Sequence, residues 1–419
     1  MKDHRQDCRR SSSAASPAAT SRAMTKLRCP LEQPRDCPRH AAVAVAVAAA
    51  LCGSAARPAA ALETVLHMVD GRLVEHEGEV LLEDSAGGVM LRSPDGQLHI
   101  VPGPRMTRRS SDERPFEWLD AKQLAETLLA ELPPGFRVHQ SDHYTICYNT
   151  TDAYARWCSQ LLERLQRAFI AHWKKRGCAV AAPERPLPVL IFADQQSYLE
   201  HARAELGASA ANVIGYYSMA TNRICMYDLT GSQALAREYG NRGSMRDISL
   251  LLAHPAAEPL VATVVHEATH QISFNCGLQT RFGANPLWMS EGLAMYFETP
   301  DLSSSRSWSG IGEVNYSRWD RFVANERQGR LLPFEKLIGS DDALRAPETA
   351  VDAYAQSWAL NYFLIRWRPK QYGKYLMEIA TKPPLTEPKP AQRLADFKKH
   401  FGDLETLQRE FQRQMSRID

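Results

Sequence analysis

His266, Glu267 and His270 stand together in the segment Thr263–Ile272, TVVHEATHQI. Residues four apart on a helix share a face and lie about 6 Å apart along its axis. Both imidazoles can therefore turn toward one ion. Neutral imidazole is a usual nitrogen ligand of zinc, and two from one helix make a rigid half-site. Glu267 is rotated about 100° from His266, so it stays out of the ligand pair and faces the position that a catalytic ion leaves open. The chemistry this permits is metal-assisted hydrolysis. Zinc lowers the pKa of a bound water toward about 7, and Glu267 takes the proton as general base. Two histidines on the wet face of an amphipathic helix would have charged neighbours. Thr263, Val264, Ala268, Thr269, Gln271 and Ile272 are all uncharged.

A catalytic zinc takes three protein ligands and keeps one position open, so a second element must supply the third. Pro286–Glu298, PLWMSEGLAMYFE, offers Glu291, twenty-one positions after His270. An unpaired carboxylate in so apolar a helix would cost several kcal/mol unless it met a cation. Glu298 lies seven residues further on and shares roughly the same face, but it stands at the helix end beside Thr299 and Pro300. Glu291 is the expected ligand.

The element carrying the histidines should start at Glu258-Pro259 and end at Gly277. Upstream, residues 62–105 alternate in period two, with turns at Ala86-Gly87 and Pro94-Asp95-Gly96, and predict a β-meander or small barrel. The polar stretch Arg105–Arg114 predicts a linker, so the β module is expected to be separable from the rest of the chain. Residues 106–139 are then linker and a short helix. Residues 140–257 form a mixed α+β part: a strand at 143–149, a helix at 152–176, strands at 188–192 and 222–227, and a helix at 195–206. In the first helix Trp157, Leu161, Leu165, Phe169 and Trp173 fall on one face. From 258 to 419 only helices and loops are expected. The fold class is α+β.

Residues 1–61 read as a targeting segment. A basic stretch ends at Arg39-His40, the apolar run Ala41–Leu51 follows, and the small-residue site Ala59-Ala60-Ala61 precedes Leu62. The apolar run is shorter than the roughly 20 residues a membrane span needs, and no later stretch is apolar for long enough to anchor the chain. An exported protein is expected, periplasmic or extracellular after cleavage. The whole chain carries a formal charge of +2 and this segment +6, leaving −4 for the rest. That surface has no basic stripe for phosphates, which argues against nucleic acid. Beyond Leu62 five of the nine cysteines remain, Cys147, Cys158, Cys178, Cys225 and Cys276, and they show no C-x-x-C spacing, so no cysteine zinc site is indicated. An odd number leaves at least one free, and buried free thiols account for them as well as any bridge.

HEATH followed by W-x-x-E-G-L-A-x-Y-F-E resembles the gluzincins, in which HExxH is followed by a ligand Glu on an E-G-L/F-A helix. The segment 140–375 is most similar to secreted bacterial gluzincin-like proteins classed as domain of unknown function 1570. The resemblance implies a zincin-like catalytic domain, a Zn2+ ion on His266, His270 and Glu291, and Glu267 as catalytic base. It also implies that NRICMYD is the edge segment along which substrate backbone pairs. Ala353–Phe363 would bring a tyrosine, Tyr354, to the site as oxyanion donor, with Tyr216, Tyr217 and His254 as weaker candidates. Two departures stand out. The G-x-M-E-N segment of the aminopeptidases is missing, since Gly215–Met219 lacks its Glu, so aminopeptidase activity is not implied. The carboxylate that steadies a ligand in the family has no counterpart four residues after Glu291, where Met295 stands. The expected function is a secreted zinc metallopeptidase acting on a peptide or protein substrate. The alternatives are a zinc hydrolase acting on a cell-wall crosslink and an inactive zinc-binding protein.

Overall fold

Four of the period-two segments fold as antiparallel strands: β1 (Ala61–Val69), β2 (Arg72–Glu83), β3 (Val89–Arg92) and β4 (Leu98–Val101). This is a computed structural model, and it describes residues 61–231, 244–299, 302, 308 and 310–418. The expected targeting segment thus lies outside the described residues apart from Ala61. Asp70 and Gly71 both take positive φ between β1 and β2, the two-residue hairpin geometry that matches strand twist. Val65, Val89, Leu91 and Val101 form a small core of their own.

Met106–Pro115, expected as linker, is a fifth strand, β5, paired antiparallel to β1 in the order β4-β3-β2-β1-β5. Its polarity is that of a sheet edge. Charged cross-strand pairs take the place of apolar alternation: the Arg109 guanidinium donates to Glu63 at 2.5 Å and to Glu83 at 2.8 Å.

A second sheet contains β6 (Arg137–Gln140), β7 (Tyr144–Tyr148), β8 (Leu187–Phe192), β9 (Gly215–Tyr217) and β10 (Ile224–Tyr227). The order is β6-β7-β8-β10-β9, with β7, β8 and β10 parallel and the two outer strands antiparallel. All six residues of β8 are buried, as a central strand covered on both faces requires. The edge is β9, not the NRICMYD segment; β10 is enclosed between β8 and β9. A tight turn causes this. Ser218 N–H donates to Arg223 O at 2.9 Å, Asn222 takes φ +62°, and the chain folds straight back on itself.

Around this sheet pack α1 (Ala121–Glu131), α2 (Asp152–Lys175) and α3 (Gln195–Leu206). Thr151 caps α2, accepting the Tyr154 N–H, and all five residues of its expected apolar face are buried. From residue 244 onward the described chain is helix and turn. In order come α4 (Met245–Leu252), α5 (Glu258–Asn275), α6 (Leu287–Phe297), α7 (Tyr316–Arg327), α8 (Phe334–Gly339) and α9 (Asp342–Arg345). Then follow α10 (Ala350–Trp367), α11 (Pro369–Ala380), α12 (Pro390–Phe401) and α13 (Leu404–Met415). The molecule is mixed α+β, with an antiparallel N-terminal sheet and a helical C-terminal region. No single helix among the described residues is long and apolar enough to cross a membrane. All five described cysteines are buried and free.

Candidate metal centre

The site is built on two helices, α5 and α6. The helix α5 starts with Glu258-Pro259, favourable residues for a first turn, and the chain leaves it through Gly277 at φ +88°. Gln271 fixes it to the second sheet, its side-chain amide donating to Pro188 O at 2.9 Å and Asn222 O at 2.8 Å. Every residue of α6 from Trp288 to Phe297 is buried. Gly292, next to Glu291, has no room for a side chain: a Cβ there would fall 1.9 Å from Asn361 Nδ2 and 2.5 Å from Ser357 O. This close approach lets Asn361 of α10 donate to Trp288 O at 2.9 Å, pinning the turn that carries Glu291.

These helices bring His266, His270 and Glu291 together. The two Nε2 atoms are 3.0 Å apart, and Glu291 Oε2 and Oε1 lie 3.4 Å from His266 Nε2 and 3.5 Å from His270 Nε2. All three side chains are buried. A tetrahedral ion with ligands at about 2.0–2.1 Å has ligand-to-ligand edges of about 3.3 Å, so the donor set fits a small divalent metal. Glu291 is fully buried; burial alone would raise its pKa, but the two histidines hold it far below the usual carboxylate range. Burial lowers the pKa of His270, which favours the neutral ring that binds metal.

Glu298 has a different place from the one its spacing suggested. Its Oε1 accepts from His266 Nδ1 at 2.6 Å, on the side of the ring away from Glu291. A carboxylate can only accept, so the Nδ1 nitrogen carries the proton and Nε2 keeps its lone pair for a metal. Burial would raise the Glu298 pKa, but the Arg318 charge and the His266 hydrogen bond hold it down at about 2. Asn315, which caps α7, donates to Glu298 Oε2 at 2.9 Å, and Arg318 approaches to 3.3 Å. A carboxylate thus meets the His266 ring from one helical turn beyond Met295, where none stands. Two turns of helix separate Glu298 from Glu291, the one signal of it in the sequence.

Glu267 is buried, and its Oε2 accepts the Tyr217 backbone N–H at 2.8 Å. Burial pushes its pKa up to about 8 against the lowering effects of His266 and that hydrogen bond. Ile214, Gly215, Met226 and Val264 lie close around it. Tyr217 therefore touches the site through its main chain and not through the hydroxyl that its residue type suggests. The hydroxyl donates to Asn222 Oδ1 at 2.9 Å. Tyr216 is buried in the second core cluster, and His254 caps the turn at Pro255–Ala257. Tyr354 lies near the start of α10, half-buried against the main core.

Residues 260–386, which include all three donor residues and Glu267, match the family described as "Protein of unknown function (DUF1570)". A search of curated proteins found no match.

Proposed function

We propose that this chain is an exported, zinc-dependent peptidase with a zincin-like catalytic region of the gluzincin type, acting on peptide or protein substrates. The observation that carries this reading is the convergence of three buried donors from His266, His270 and Glu291, with the buried carboxylate of Glu267 one helical step from the first. A purely structural metal site has no use for Glu267 there.

When bound, zinc would supply Lewis-acid polarisation of the scissile carbonyl. With the charge of a bound zinc offsetting the burial that raises the Glu267 pKa, the ionised carboxylate would take the proton of the attacking water and pass it to the leaving amine. The Tyr217 N–H holds Oε2, which leaves Oε1 for the proton and aims the carboxylate before substrate arrives. Glu298 keeps the His266 ring in one tautomer and one orientation. Tyr354 is assigned the donor role toward the developing oxyanion. The strand β9, beside Glu267, lies at an edge of its sheet, the kind of position to which an extended peptide adds by main-chain hydrogen bonds.

The test is direct. Purified full-length protein should carry about one zinc per chain and degrade a casein-type substrate. A chelator should stop the reaction and added zinc restore it. Stoichiometric zinc in a His270→Ala variant rejects the metal assignment. Loaded protein without chelator-sensitive hydrolysis of any peptide or protein rejects the peptidase.

A further inference from the structure

The turn Ser218–Arg223, which joins β9 to β10, is held from two sides. On one side α5 grips it: Gln271 donates to Asn222 O at 2.8 Å, and the Asn222 amide donates to Asn275 Oδ1 at 3.0 Å. On the other side is the N-terminal sheet. Leu98 N–H of β4 donates to Ala220 O at 2.8 Å. The Arg281 guanidinium donates to Gly96 O, 185 residues before it in the chain, at 2.8 Å and to Met219 O at 3.1 Å, bridging the two segments. Among the described residues no carboxylate accepts a hydrogen bond from Arg281, although the Asp95 charge acts on it; its donors go to main-chain carbonyls, where charge-assisted bonds are strong.

The module's own contact is preformed. Asp95 Oδ1 accepts the Gln97 N–H at 3.1 Å, Gly96 N–H donates to Ser93 O at 2.8 Å, and Gly96 takes φ +87°. The residue entering the clamped turn is Tyr217, whose N–H holds Glu267.

We propose that the N-terminal sheet is a working part of the site, with Arg281 as the positioning residue. Through Arg281 and Leu98 its Ser93–Gln97 turn clamps residues 218–223 and so keeps the Tyr217 N–H on Glu267. The inference rests on the proposed function only for the chemical role of Glu267; the clamp is tested without any hydrolysis.

Amide exchange of full-length protein, with and without zinc, reads the Tyr217 N–H itself. Arg281→Met keeps the stem and removes the donors. Exchange at Tyr217 should quicken about tenfold or more, as expected when a supporting charged hydrogen bond is lost, while amides of β8 keep parental rates. Arg281→Lys, which keeps the charge, should restore part of the protection. Asp95→Ala, which loosens the module's turn and removes its 3.9 Å contact with Arg223 of the clamped turn, should quicken Tyr217 exchange to a smaller extent. Parental protection at Tyr217 in a folded Arg281→Met protein overturns the proposal. If that variant does not fold, parental protection in Asp95→Ala overturns it. Quickening that includes β8 equally would mean general loss of stability, and that outcome also overturns it.

Discussion

At the scale of single residues, the proposed function gives Glu267 and Glu298 separable duties. Glu267→Gln keeps size and can still accept the Tyr217 N–H, but it cannot take a proton. Hydrolysis should fall by about 10²–10⁴-fold with zinc content unchanged, as read by activity and metal analysis on the same preparation. Near-parental hydrolysis would show that another group is the base. Glu298→Gln removes the charge behind His266 and should weaken zinc binding about 10–100-fold, measured by competition with a chromogenic chelator. Parental affinity would reduce the contact to packing. The histidine pair was legible because four-residue spacing fixes the face of a helix whatever surrounds it. Glu291 was legible because a carboxylate in an apolar run has to meet a cation. Glu298 was only half legible. Its spacing announced the face, but which side of the His266 ring it reaches depends on where α7 brings Asn315 and Arg318. The Tyr217 contact was invisible for a plainer reason: a backbone N–H has no side-chain signature.

At the scale of elements, the ligand helix α6 is placed by its neighbour α10 through Gly292. Gly292→Ala puts a methyl group 1.9 Å from Asn361 Nδ2. Overpacking of this kind costs about 1–3 kcal/mol, so the melting temperature should drop and zinc affinity with it as Glu291 is displaced. An unchanged melting curve would mean that α10 can retreat freely. Long periodic segments are legible in the sequence. The bounds expected for α2, 152–176, and for the helix at 195–206 match the observed helices to within a residue. Three strands are not legible: the four-residue β6, which falls where linker and a short helix were expected, β5 and β9. A polar strand such as β5 lacks the alternation that marks a half-buried strand, because its pairing rests on charges contributed by β1 and β2. The three-residue β9 is too short for any period, so nothing in the sequence sets it against the NRICMYD segment that the family resemblance gives as the edge.

At the scale of the whole molecule, the proposed signal and the first strand meet at one point. Strand β1 begins at Ala61, so cleavage after the Ala59-Ala60-Ala61 site would leave it intact but for its first residue. N-terminal sequencing of the exported protein should start near Leu62; a form that keeps residues 1–40 would contradict export by this route. The five described thiols bear on the fate of the chain in an oxidising compartment. Burial pushes Cys147, Cys225 and Cys276 up to about 12 and Cys178 up to about 11. Disulfide exchange proceeds through the thiolate, so the five described thiols offer oxidants almost nothing to react with when folded, and they form no bridge for a reducing agent to open. Unfolding is the opposite case, with these five as ordinary thiols and no native pairing to guide them. Redox conditions should therefore leave the melting temperature alone and decide instead whether the melted protein comes back. Refolding becomes a race against mispairing, which the chain wins only by closing its core before an oxidant finds a cysteine.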